Sequence, residues 1–140
     1  IRNGADVAKA LALGADAVSI GSAAMIALNC NAPIYEESYA ELGTAPGFCH
    51  HCHTGRCPVG VTTQDPELEK RLDPVQGARR VRNYLATMVL ETQTLARACG
   101  KSHVLNLEPE DMVALTVEAA AMAQVPLAGT NWIPGMQGRG

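Results

Sequence analysis

Apolar positions recur with helical spacing at both ends of the chain and lose all periodicity between them. Gly4 to Leu13 has helical composition, Gly14 stops it, and Ala17-Val18-Ser19-Ile20 reads as a short apolar strand. Gly21-Ser22 then opens a second helix, with Ser22 as the expected N-cap. Ala23 to Leu28 are good helix formers and apolar, so this helix is expected to be buried almost all round. The order is β/α alternation with only its last step present. Two helices and one strand cannot close a parallel sheet, whose strands need cover on both faces, so the remaining strands are expected upstream or in another chain.

From Asn29 to Thr63 the periodicity breaks down, with Pro33, Gly43, Pro46, Gly47, Gly55, Pro58 and Gly60 marking turns. An irregular stretch of that length is uncommon unless it is functional, and a metal centre can supply the cross-links that a missing core does not.

Helical signals return downstream. Asp65-Pro66 caps a short helix, and Asp73-Pro74 starts a long one that runs to Gly100. On the long helix Ala78, Val81, Leu85, Met88, Thr92, Leu95 and Cys99 follow three- and four-residue steps and predict one core-facing stripe, with Cys99 buried. Arg79, Arg80, Arg82 and Arg97 fall mostly off it and predict a solvated or subunit-facing surface. A further helix is expected after Glu108-Pro109, through Met112, Leu115, Val117 and Ala121 to about Gln124, followed by a glycine-rich tail.

Composition narrows the function classes. The chain is 47% hydrophobic and 18% charged, ordinary for a globular protein, and its 11 basic and 14 acidic residues give a formal charge of −3. No basic run marks a nucleic-acid surface. No stretch approaches the roughly 18 apolar residues of a membrane helix, and the N-terminus lacks the basic-then-apolar order of a signal peptide. The expected location is cytoplasmic. The chain opens on Ile1 rather than Met, which leaves room for an upstream segment.

Cysteine usage changes the picture more. Four of the five cysteines lie between Cys30 and Cys57, a clustering that points to a local site rather than a disulfide scaffold. The segment Cys49-His50-His51-Cys52-His53-Thr54-Gly55-Arg56-Cys57-Pro58 supports four readings. Closely spaced thiolates in a loop turned by glycines, with a proline after the last, suit an iron–sulfur cluster. Cys-x2-Cys with nearby histidines suits zinc, although a second ligand pair is not evident. Cys49-x-x-Cys52-His53 matches the c-type haem attachment pattern but leaves Cys57 unused and requires export. The plain alternative is a structural loop without a cofactor. His50, His51 and His53 could donate hydrogen bonds to sulfur or lie on the surface.

Three segments then carry a resemblance. Ile1-Arg2-Asn3-Gly4-Ala5-Asp6, the run Ala12 to Ala23, and Cys52-His-Thr-Gly-Arg-Cys-Pro-Val-Gly-Val-Thr-Thr-Gln-Asp-Pro-Glu-Leu resemble, in this order, the flavin-binding region of the glutamate synthase family. Many flavin barrels share the first two; the cysteine segment is far narrower. Within the family, Gly47-Phe-Cys-His-His-Cys-His and Gly129-Thr-Asn-Trp-Ile-Pro-Gly are most similar to the large subunit that makes N-methylglutamate.

The resemblance implies an α/β fold: residues 1–29 as the end of a (β/α)8 FMN barrel, 30–64 as the cluster loop, 65–128 as a helical extension and 129–140 as a tail. Ala17 to Ile20 would be the eighth strand. Loops after strands seven and eight of such barrels commonly bind phosphate, so Gly21 and Ser22, with Arg2, would meet the flavin phosphate. The family's three-iron (3Fe-4S) cluster uses three cysteines, of which Cys52 and Cys57 match two. Cys49 is the expected third and Cys30 a possible fourth, which would make the cluster four-iron (4Fe-4S). Electrons would reach FMN through the cluster, and the reduced flavin would pass a hydride to an imine of an amine and a 2-oxo acid. Implied partners are a glutaminase-like subunit and a β-helical one, and the catalytic residues are expected outside this stretch.

Overall fold

The protein was analysed as a computed structural model that describes residues 1–136, so positions 137–140 of the expected tail lie outside the described residues. Among the described residues six α-helices follow one another: α1 (Gly4–Ala12), α2 (Ser22–Ala27), α3 (Glu36–Ala40), α4 (Pro66–Glu69), α5 (Pro74–Ala98) and α6 (Val117–Ala123). Residues 17–20 adopt neither helix nor strand ladder, and the β pairing among the described residues is a single parallel bridge between Ala114 and Leu127. No helix among them is long and apolar enough to cross a membrane.

Start signals acted where the sequence put them for α4 and α5, and α1 gains a cap at Asn3. Asn3 accepts the Asp6 N–H at 3.0 Å and caps α1, Asp65 accepts from Glu67 and Leu68 to cap α4, and Asp73 accepts from Val75 and Gln76 to cap α5. Four helices end alike. After α1, α2, α3 and α5 the chain closes a pair of bonds, six residues back to one and five back to two, around Gly14, Asn29, Gly43 and Gly100. Each of these four has positive φ, which glycine adopts freely and asparagine tolerates.

The chain divides into two compact units. One comprises Ile20–Ala86 and is centred on Tyr39, fully buried among Ala32, Cys57 and Val59. The other comprises Ile1–Ser19 and the chain from Thr87. Its larger core joins Ala8, Leu11 and Ala12 of α1 to Ala96 of α5 and to Leu107, and its smaller core gathers Ala114, Ala120 and Val125. Here Gly4 presses against α5: its N–H donates to Glu91 Oε2 at 2.8 Å, and Thr92 Oγ1 donates to its carbonyl at 3.2 Å. A Cβ on Gly4 would stand 2.6 Å from the Met88 carbonyl oxygen and 2.8 Å from the Thr92 nitrogen.

Several expectations need correction. Gly21, not Ser22, occupies the N-cap of α2 and provides no side-chain cap; no residue of α2 is buried, and Ile26 is 48% exposed. The stripe of α5 is turned from the one expected. Met88 and Thr92 are buried as foreseen, but the other buried positions are Gly77 and Ala96, while Ala78, Leu85, Leu95 and Cys99 are exposed. The helix expected from Glu108-Pro109 to Gln124 is interrupted. Pro109–Asp111 makes one 3₁₀ turn, closed when the Asp111 carboxylate accepts the Glu108 N–H at 2.9 Å. Met112 then takes an extended conformation, and α6 starts anew where Thr116 Oγ1 accepts the Ala119 N–H.

Candidate functional site

Cys30, Cys49, Cys52 and Cys57 all fall in the Ile20–Ala86 unit and none is in a disulfide. Local backbone chemistry delivers each to its place. The turn at Asn29 ends α2 with the Cys30 N–H donating to the Met25 carbonyl at 3.0 Å, so the chain leaves the helix at this cysteine. Gly47, at φ +85°, reverses the chain just before Cys49. Cys57 opens a turn closed by the Gly60 N–H on its carbonyl at 3.2 Å. Gly60 has φ +79°, and a Cβ there would collide with the Leu68 carbonyl of α4, so both conformation and space demand glycine.

Cys57 is buried at 7% exposure within the core around Tyr39, and Cys30 and Cys49 pack half-buried against that core. Cys52 is exposed. The four sulfurs are close enough to act on one another electrostatically. Burial pushes the Cys30 thiol up, and the negative charges of Cys52, Cys57 and Cys49 push it further. Burial acts in the same sense on Cys57, but the backbone N–H groups of Thr62, Val59 and Val61 and the Thr62 hydroxyl outweigh it and hold this thiol below the ordinary range.

Two residues outside the cysteine pattern, Tyr39 and Arg71, hold the segment in shape. The Tyr39 hydroxyl donates to the Cys30 carbonyl at 2.6 Å, and burial, followed by the Cys49, Cys30 and Cys57 charges, pushes the phenol up to about 12. Arg71 Nη1 donates to the Pro58 carbonyl at 2.8 Å and to Ser38 Oγ at 3.1 Å, while its guanidinium lies 4.9 Å from the Tyr35 ring centroid. Thr62 Oγ1 is buried and completes no hydrogen bond within the protein. Sequence reasoning missed both Tyr39 and Arg71, which act over separations of 9 and 13 residues that no local pattern encodes.

The donor set has the chemistry an iron–sulfur core would use: sulfurs in and against a core, one of them favoured as thiolate by backbone N–H groups. Among the described residues no three Cys, His, Asp or Glu side chains are placed to hold one metal ion. A single ion needs ligands that converge at about 2.0–2.3 Å on one point, whereas cluster thiolates each take a different iron and stand further apart. His50 and His51 stack on one another with centroids 4.7 Å apart.

The expected flavin contacts fall in both units. Gly21 has nothing within 4 Å of where a Cβ would be, and Ser22 is exposed as the first residue of α2. Arg2 lies in the other unit; its N–H donates to Asp6 Oδ2 at 2.9 Å and its Nε stands 3.9 Å from the same oxygen.

Comparison with known proteins adds the following. Residues 1–102 match the family model for the conserved region in glutamate synthase. A glutamate synthase large subunit-like protein of Rhizobium meliloti (strain 1021) is 67% identical over 135 residues, which cover 96% of this chain and 30% of the relative. The archaeal glutamate synthase [NADPH] of Methanocaldococcus jannaschii is 46% identical over 107 residues, 76% of this chain and 18% of that protein. An archaeal-type glutamate synthase [NADPH] of Dehalococcoides mccartyi is 37% identical over 133 residues, 92% of this chain and 23% of that protein. The chain thus spans less than a third of the length of these relatives. No solved structure matches it.

Proposed function

The chain belongs to the glutamate synthase family, and on that premise we propose that it is part of the flavin and iron–sulfur portion of a glutamate-forming oxidoreductase. Residues 1–29 are the end of a (β/α)8 barrel whose other strands lie elsewhere, with Gly21 and Ser22 facing the FMN phosphate. Cys49, Cys52 and Cys57 hold the cluster, with Cys30 as the fourth thiolate of a four-iron centre. The observation that carries this reading is that Cys57, Cys30 and Cys49 gather at one core around Tyr39, free of any disulfide, in a stretch that matches the glutamate synthase family. Thiolates so placed repel each other unless cationic iron lies between them.

When bound, the two groups would supply electrons through the cluster and a hydride from FMN to an imine formed from an amine and a 2-oxo acid. The work of these residues is structural and electrostatic. Cys57, Cys49 and Cys30 present sulfur from within or against the core, Arg71 and Tyr39 fix the backbone beside two of them, and Gly60 lets the turn pass close to α4. The closer assignment is to N-methylglutamate formation, with methylamine as the amine, and rests on Gly47 to His53 and the tail from Gly129. Glutamate formation with NADPH as the electron source is a second reading, favoured by the names of the archaeal relatives.

Iron and acid-labile sulfide measured on the anaerobically purified full-length protein test the cluster. Wild type is expected to contain both, and Cys52→Ser and Cys57→Ser to lose most of each. Full-length wild type without iron would overturn the proposal. Turnover with methylamine against ammonia then decides between the two substrates.

A further inference from the structure

A cavity of about 330 Å³ opens within the Ile20–Ala86 unit, between the end of α2 and the first turns of α5. That volume is at the lower end of the range for small-molecule sites. Its lining is apolar at Leu28, Val59 and Leu72. A glycine shapes one wall: a Cβ on Gly77 would stand 2.7 Å from Leu28 Cδ1, so only the bare backbone of α5 leaves this leucine its place. Polar side chains converge on the same space. Asn29, Gln76 and Arg80 line it, and none of these three side chains makes a hydrogen bond or ion pair with the described residues.

Charge in the cavity is positive on balance. Against Arg71 and Arg80 stands one acidic side chain, Asp73, whose Oδ1 already accepts the Val75 and Gln76 N–H groups at 2.9 and 3.1 Å. Among the described residues no ion pair joins it to either arginine. Arg71 is held in advance, since its Nη1 donates to the Pro58 carbonyl and Ser38 Oγ and its guanidinium lies 4.9 Å from the Tyr35 ring centroid. Its Nη2 and Nε are left for another acceptor, and a side chain already fixed loses little freedom when one arrives.

We propose that this cavity binds a small organic anion, a short aliphatic chain ended by a carboxylate or phosphate group, with Arg80 gripping the charged head. A guanidinium suits both heads because its planar fork meets two oxygens at once. Arg71 adds a second positive charge, and two arginines in one cavity disfavour a cationic occupant. The amides of Asn29 and Gln76 donate as well as accept and serve a further oxygen, while Leu28, Val59 and Leu72 cover the chain. No cysteine lines the cavity, so the site needs neither iron nor flavin and stands or falls apart from the proposed function. Arg71 nevertheless links it to the cysteine segment, because the same guanidinium holds the carbonyl of Pro58, next to Cys57.

The test is calorimetric titration of the full-length protein with succinate and with glycerol 3-phosphate, at one fixed ionic strength, in wild type, Arg80→Gln and Arg79→Gln. Each variant removes one positive charge from an exposed position of α5, but Arg79 does not line the cavity. Wild type is expected to bind at least one of the two anions with a dissociation constant below about 1 mM. Arg80→Gln should weaken that binding about tenfold or more, the size expected when an anion loses a charge-assisted bond, and Arg79→Gln should change it by less than about twofold. Binding of succinate alone assigns a carboxylate head, and binding of glycerol 3-phosphate alone assigns a phosphate head; either supports the site. No binding of either at about 10 mM would overturn the proposal. So would equal weakening in the two variants, which would reduce the effect to the general charge of α5. An affinity untouched by Arg80→Gln would overturn it as well, because the anion would then bind elsewhere on the protein.

Discussion

Replacing Gly4 by alanine sets two rules against each other. Gly4 begins α1 and does not have the positive φ that would exclude other residues, so helix propensity alone favours alanine there by up to about 1 kcal/mol. Packing opposes it. The added Cβ would overlap the Cβ of Glu91 and approach the Met88 carbonyl oxygen to 2.6 Å and the Thr92 nitrogen to 2.8 Å. Ordinary contact needs about 3.5–4.0 Å, and two of the three neighbours are backbone atoms of a continuous helix that cannot swing aside. Relief requires α1 and α5 to part by about an ångström, which costs roughly 1–3 kcal/mol as overpacking. Parting also weakens the Gly4 N–H bond to Glu91 and the Thr92 bond to the Gly4 carbonyl, each worth about 1 kcal/mol. The net expectation for Gly4→Ala is a loss of about 2–4 kcal/mol, read as a lower urea midpoint at an unchanged slope. Gly21→Ala is the comparison without a collision, because its Cβ meets nothing; its ψ of −88° at φ −129° lies outside the common regions, so it should lose about 1 kcal/mol, less than Gly4→Ala. A Gly4→Ala protein as stable as wild type would refute the argument that close approach, rather than propensity, selects glycine here.

Other variants probe the cysteine segment and the caps. Gly60→Ala combines an unfavourable φ of +79° with a collision against the Leu68 carbonyl and should strip most of the iron, whereas Gly43→Ala, at φ +67° but in open space, should keep it; equal iron contents would show that the close approach to α4 does not matter. Tyr39→Phe leaves the Cys30 carbonyl without its 2.6 Å donor and should cost about 1–3 kcal/mol in urea unfolding; a neutral result would mean that water or another group takes over the acceptor. Asp6 is held below its ordinary carboxylate value of 3.8, first by the Arg2 N–H and next by Lys9. A depressed native value means that its stabilisation is complete above 3.8 and fades as pH falls through the native value. The urea midpoint of Asp6→Asn should thus trail wild type at neutral pH and converge with it in acid, and a gap that ignores pH would contradict this.

What could be read from the sequence divides along physical lines. Helix starts at Asp65 and Asp73 and the end at Gly14 were local events, settled within four residues, and they came out as expected. The chain after Glu108-Pro109 misled because a proline preceded by an acidic residue starts a 3₁₀ turn as readily as a long helix, and Asp111 closes that turn on itself. On α5 the expected stripe ran through Leu85 and Leu95 as well as Met88 and Thr92. Close packing kept Met88 and Thr92 and otherwise chose Gly77 and Ala96, residues small enough for another element to approach, and left Leu85 at 40% exposure. At the site the cysteine spacing singled out the segment, but Tyr39 and Arg71 reach it from elements with no visible connection to it.

Glu91 holds the first turn of α1 through a partly buried bond from the Gly4 amide, while pairs such as Lys70 with Glu67 stand in open solvent. Ionic strength will separate the two kinds. At about 1 M salt the screening distance shrinks to roughly 3 Å, which extinguishes the attraction in exposed pairs while a partly buried bond is screened much less. In concentrated brine the grip of α5 on α1 should therefore outlast the surface ion pairs, and formal charge alone would misjudge how this part of the molecule tolerates salt.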